Sequence, residues 1–133
     1  MENGMNDSLL RTYLEGWSKT CNSTPETVAA MLAGAHPDIR FTDVNSANVH
    51  SGHEGIRTIC RLASGGYPDA SIGYDDLLFD GRNWSIRWTL SGTRTDGSSF
   101  ECRGASAGRV AEDGRVIEQT DYWNRASVHG AGG

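Results

Sequence analysis

The chain has few cysteines and little positive charge. Its three cysteines, Cys21, Cys60 and Cys102, stand far apart with no C-x-x-C pair among them. That spacing implies neither a disulfide framework nor a zinc knuckle, and it points to a reducing, cytoplasmic setting. Twelve Lys and Arg face seventeen Asp and Glu, a formal charge of -5. Nucleic acid and anionic membranes both call for a basic footprint, so neither is expected as a partner. No uninterrupted apolar stretch approaches the roughly 20 residues that span a bilayer. The opening Met1-Glu2-Asn3-Gly4 has neither the basic run nor the apolar core of a secretory leader.

Motifs for cofactors and nucleophiles are missing too. The glycines, including Gly52-x-x-Gly55, fit neither a Walker loop nor a dinucleotide fingerprint, so no nucleotide cofactor is expected. His50 and His53 lie three apart at a loop and a helix start, without a third ligand at metal spacing, so no metal is expected. Ser106 sits within Gly104-Ala105-Ser106-Ala107-Gly108, which is not the G-x-S-x-G elbow of a hydrolase.

What is present is the material of one domain. At 133 residues there is room for one core, and four Trp, four Tyr and three Phe supply its bulk. The polar and small-residue ends predict tails at 1–7 and 127–133 around a single domain at 8–126. Leu10, Tyr13, Leu14 and Trp17 recur at helical spacing behind Asn6-Asp7-Ser8. Thr24 and Pro25 open a second helix, closed by Gly34 and Pro37. Ser51-Gly52-His53-Glu54 has the form of a capping box before a third helix that ends at Gly65-Gly66.

The second half changes period. Asp80-Gly81, Asp96-Gly97 and Asp113-Gly114 predict hairpin turns between strands at about 71–79, 84–93, 100–110 and 116–123. The fold class is therefore α+β: three N-terminal helices packed on a curved antiparallel sheet, forming a cone.

Three positions attract chemistry. Ile39, Phe41 and Asp43 share one face of a short strand, which puts a carboxylate on an apolar surface. Either that raises its proton affinity for acid/base work, or Asp43 simply caps the Asn45-Ser46 turn. Gln119, Asp121 and Trp123 share a face of the last strand; turned inward, it buries a polar pair beside an indole, and turned outward it leaves a solvated acid. Trp84, Ile86, Trp88 and Leu90 alternate with Ser85, Arg87, Thr89 and Ser91. Either the aromatic face is the core, or Arg87 enters a polar cavity beside the two acids while the Trp face covers a subunit partner. A homodimer through the outer sheet face is expected, since an exposed Trp84, Ile86 and Trp88 would leave an apolar patch on a monomer.

The order of elements, with Ser85-Ile86-Arg87-Trp88-Thr89-Leu90-Ser91-Gly92-Thr93 and Asp113-Gly114-Arg115-Val116-Ile117-Glu118-Gln119-Thr120-Asp121-Tyr122-Trp123, resembles the nuclear transport factor 2-like superfamily. Within it the likeness is to the SnoaL-like polyketide cyclase and ketosteroid isomerase branch, over residues 9 to about 125. The resemblance implies a pocket at the wide end of the cone, closed over an apolar small molecule. The cyclases' general acid/base matches Asp121, the isomerases' base matches Asp43, and Tyr13 matches the isomerase oxyanion donor. Trp17, Phe41, Thr89, Ser106 and Trp123 would bind substrate. The isomerase's second acid falls on Ser106, so that constellation is incomplete. The Asp-Arg-Asp triad of limonene epoxide hydrolases finds Arg87 and Asp121 but Thr89 in the remaining place.

The expectation is a cofactor-independent enzyme that cyclises or isomerises an apolar, carbonyl-bearing, polyketide-like compound. The alternatives are water addition to an epoxide and a noncatalytic protein that shelters a hydrophobic ligand.

Overall fold

Two short helices cross first in the chain. In a computed structural model, which describes residues 6–129, α1 (Ser8–Trp17) and α2 (Pro25–Gly34) are joined through a 3₁₀ turn at Thr20–Asn22. The apolar stripe of α1 is buried as its spacing predicts. Thr24 caps α2 with a reciprocal bond to Thr27, and Pro25 occupies the first turn. The two helices touch backbone to backbone. A Cβ at Gly34 would lie 2.5 Å from the Leu9 carbonyl oxygen, and one at Gly16 would lie 2.6 Å from that of Thr27. Glycine is what permits this approach.

The chain continues through β1 (Ala35–Asp43), β2 (Val49–Ser51), α3 (Gly52–Gly66), β3 (Ser71–Phe79), β4 (Asn83–Thr93), β5 (Ser99–Val110), β6 (Val116–Trp123) and α4 (Ala126–His129). The α+β class and the order of elements are as the sequence predicts. The three Asp-Gly turns are present too, with Gly81, Gly97 and Gly114 at φ of 97°, 89° and 88°.

Three expectations about elements need correction. The sheet is mixed, in the order β2-β1-β6-β5-β4-β3. β1 does not merely precede the meander: it returns to pair in parallel with β6, bringing Asp43 level with Asp121. The Ser51-to-Glu54 capping box does not form. Ser51 makes no side-chain cap bond, Glu54 pairs with Arg57, and His53 Nε2 donates to the Ala35 carbonyl at 2.9 Å instead, tying α3 to β1. The tail expected from 127 contains a buried residue: Val128 is 3% exposed within α4. Arg94 holds that helix by donating to the carbonyls of Val128 and Ser127 at 2.9 and 3.1 Å. Of the expected tails, 1–5 and 130–133 lie outside the described residues.

β4 resolves its two-faced pattern. Trp84, Ile86, Trp88 and Leu90 are all buried, so the aromatic face is the core. The expectation that it covers a partner subunit is overturned, and the ground for a dimer through that face goes with it. The wide indoles fit because glycines oppose them: Trp84 pairs with Gly108 and Trp88 with Gly104 across β5. A Cβ at Gly104 would meet the Trp88 ring at 2.5 Å. All three cysteines are free and buried. No helix among the described residues is long and apolar enough to cross a membrane.

Candidate active site

Between α3 and the concave side of the sheet lies a cavity of about 290 Å³, near the lower end of small-molecule pockets. The parallel β1–β6 pair supplies its acids, Asp43 and Asp121, from matched positions. Its wall is aromatic: Trp88 lies 5.9 Å from Trp17 and 6.3 Å from Trp123, ring centre to ring centre. Phe41, Ile59 and Leu90 add apolar surface.

Asp121 is 8% exposed and rests on a network of donors. Ser106 Oγ donates to its Oδ1 at 2.6 Å, and Gln119 Nε2 donates to the same oxygen at 2.7 Å. Behind Ser106, the Trp88 indole N–H donates to Oγ at 2.9 Å. Behind Gln119, the Tyr13 hydroxyl donates to Oε1 at 2.5 Å. Burial pushes Asp121 up from 3.8 to about 7. The two hydrogen bonds pull against that rise, and the charge of Asp43 adds to it. Near neutral pH this carboxyl is shared between its acid and base forms, the condition for moving protons in either direction.

Asp43 holds its turn, as one of the two sequence readings has it. Its Oδ1 accepts from the backbone and side chain of Asn45, at 2.8 and 3.1 Å, and so holds the turn. Its Oδ2 accepts from the Trp123 indole N–H at 2.9 Å, fixing that ring against the cavity.

Of the residues singled out from the sequence, the fold gathers Asp43, Asp121, Trp17, Phe41 and Trp123 around the cavity. Ser106 is fully buried behind Asp121 and supports the acid rather than lining the hollow. Tyr13 is likewise fully buried, with its hydroxyl on Gln119, so it is not placed to meet an oxyanion on a substrate. Burial, and then the neighbouring Asp121 and Cys60, hold its phenol well above the usual 10.

Arg87 and Thr89 are on the other side of the sheet. The Arg87 side chain is 74% exposed and pairs with Asp76, where the sequence offered Asp43 or Asp121 as its partner. Thr89 alternates with buried Trp88 and Leu90 and therefore points the same way as Arg87. The Asp-Arg-Asp arrangement of an epoxide hydrolase is not assembled.

Sequence reasoning missed several participants. Gln119 was visible as a strand-face neighbour of Asp121, but nothing in the sequence marked it as the link to Tyr13. Tyr67, just after α3, and Arg125, just after β6, line the cavity from segments without periodic pattern. The Arg125 guanidinium lies 5.8 Å from the centre of the Trp123 ring. Cys21 also lines the hollow, but burial pushes its thiol up to about 11, which leaves it a poor nucleophile. No group of three His, Cys, Asp or Glu side chains suited to a metal ion occurs among the described residues.

Residues 10–119 match the family model described as a SnoaL-like domain. A protein from Jannaschia sp. CCS1 assigned as a SnoaL-like polyketide cyclase has the same fold, with a TM-score of 0.80 at 16% identity; the match covers 98% of this chain and 95% of that one. An NTF2-like protein from Burkholderia thailandensis E264 is similar with a TM-score of 0.74 at 22% identity, over 94% and 97% of the two chains. The epoxide hydrolase/cyclase-like enzyme SalBIII, of pyran ring formation in the polyether salinomycin, is similar with a TM-score of 0.71 at 11% identity, also over 94% and 97%. No curated protein matches the sequence.

Proposed function

Since this chain belongs to the SnoaL-like domain family, we propose that it is a cofactor-independent enzyme that moves a proton on an apolar, carbonyl-bearing small molecule, in a cyclisation or isomerisation. The observation that carries this reading is Asp121: a nearly buried carboxyl against an aromatic cavity, with its affinity for a proton raised to about 7. As a carboxylate it takes the acidic proton next to the substrate carbonyl. As an acid it returns that proton to a second atom of the same molecule. The Trp17, Trp88 and Trp123 rings exclude water and orient a flat apolar body. Asp43 holds Trp123 in place, and its charge adds to the rise that burial gives Asp121.

Water addition to an epoxide has less support, because Arg87 and Thr89 are outside the cavity. The choice between enzyme and ligand shelter is made by α-proton exchange of 2-tetralone in D₂O, followed by proton NMR. The expected result is exchange faster than the buffer background, falling about a hundredfold or more in Asp121→Asn. If exchange with the wild-type protein equals that with Asp121→Asn while the ketone still binds, the protein is a shelter and the enzymatic reading is overturned.

A further inference from the structure

The bonds behind Asp121 give Tyr13 a different role from the oxyanion donor its position resembles. Its hydroxyl is fully buried, stays protonated, and donates to Gln119 Oε1. Among the described residues that is its one hydrogen-bond partner. A buried O–H without an acceptor is costly, so the carboxamide oxygen of Gln119 is fixed toward Tyr13. The other end of the amide, its NH₂, is thereby turned to Asp121 Oδ1. Trp88 constrains Ser106 in the same way: the indole can only donate, so it occupies Oγ as an acceptor and directs the serine proton to the same Oδ1. Two donors on one oxygen leave that oxygen no place for a proton.

We propose that Tyr13 is a positioning residue acting through Gln119: by fixing the direction of the amide it confines the mobile proton of Asp121 to Oδ2, the oxygen left to the cavity. The inference takes its catalytic meaning from the acid/base reading above, but its test does not depend on turnover. Without the Tyr13 hydroxyl the amide is free to turn over. Its oxygen beside Oδ1 is tolerated only when Oδ1 carries a proton, so the proton moves to the inner oxygen and Asp121 ionises at higher pH. The other groups facing this site are unchanged by the substitution: Asp43 on β1, Cys21 in the 3₁₀ turn, Cys60 on α3, and His50, Tyr67 and Arg125 at the cavity.

The experiment is a carbon-detected NMR titration of the Asp121 carboxyl in the wild type, Tyr13→Phe, Gln119→Met and the double variant. Each single variant is expected to raise the Asp121 midpoint by about one to two pH units, the scale of one lost donor to a charged group. The double variant should go no higher than Gln119→Met alone. An unchanged midpoint in Tyr13→Phe overturns the proposal, as does an equal further rise when Tyr13→Phe is added to Gln119→Met. Should Tyr13→Phe not fold, the wild type decides: the Gln119 side-chain amide nitrogen must shift with the Asp121 titration, and an amide signal indifferent to it overturns the assignment. A failed 2-tetralone exchange would sink the enzymatic reading and leave these titrations untouched.

Discussion

Ser106 Oγ lies 2.6 Å from Asp121 Oδ1 on the neighbouring strand, with the Trp88 indole N–H behind it at 2.9 Å. A serine with its proton so directed favours the ionised acid, and this fixes the sign of what its removal does.

In Ser106→Ala the carboxylate loses a donor and Asp121 should ionise above its present value of about 7. The rising limb of exchange rate against pH is expected to move up by about one to two units. The orphaned Trp88 N–H should also cost about 1–3 kcal/mol of stability, read from urea denaturation. An unmoved pH profile would mean that Ser106 does not tune the acid.

Asp121 also makes stability depend on pH. Unfolded, it ionises near 3.8; folded, near 7. Between those values the native state holds a proton that the unfolded chain has released, so stability contributed by this group falls as pH rises from about 4 to about 7 and is level above. The span has an upper limit of about 4 kcal/mol. Urea midpoints at pH 5 and pH 8 should therefore differ less in Asp121→Asn than in the wild type. Equal differences would show that the carboxyl is not desolvated.

Arg87→Gln should leave 2-tetralone exchange unchanged and alter stability by no more than about 1 kcal/mol, as befits an exposed ion pair. A large loss of exchange would return Arg87 to the site.

Gly34→Ala should destabilise by about 1–3 kcal/mol, because the added methyl meets the Leu9 carbonyl and Tyr13 rather than empty space. Thermal unfolding checks this. A stabilised variant would mean that the helix pair can separate freely.

The helices, the three Asp-Gly hairpins and the long strands were legible because each rests on local signals: spacing, caps, positive-φ turns. The strand face carrying Gln119, Asp121 and Trp123 was legible as a polar set beside an indole, and it does face inward. The direction of β4 was not, because alternation gives two faces without saying which the helices cover. The glycines at 104 and 108 make room for the inward indoles, and they lie on β5, not on β4 itself. The parallel return of β1 to β6 was equally hidden, since nothing local specifies a partner so far along the chain. The place of Tyr13 behind Gln119 depends on that packing and could not be read from its helix.

The indole of Trp123 meets Asp43 across 80 residues of sequence. Closing so long a loop costs chain entropy before any contact rewards it. As the polypeptide is synthesised, Asp43 emerges well before the strand that stands beside it. The two carboxyls therefore stand side by side only once β6 has docked, and a half-folded chain holds them apart.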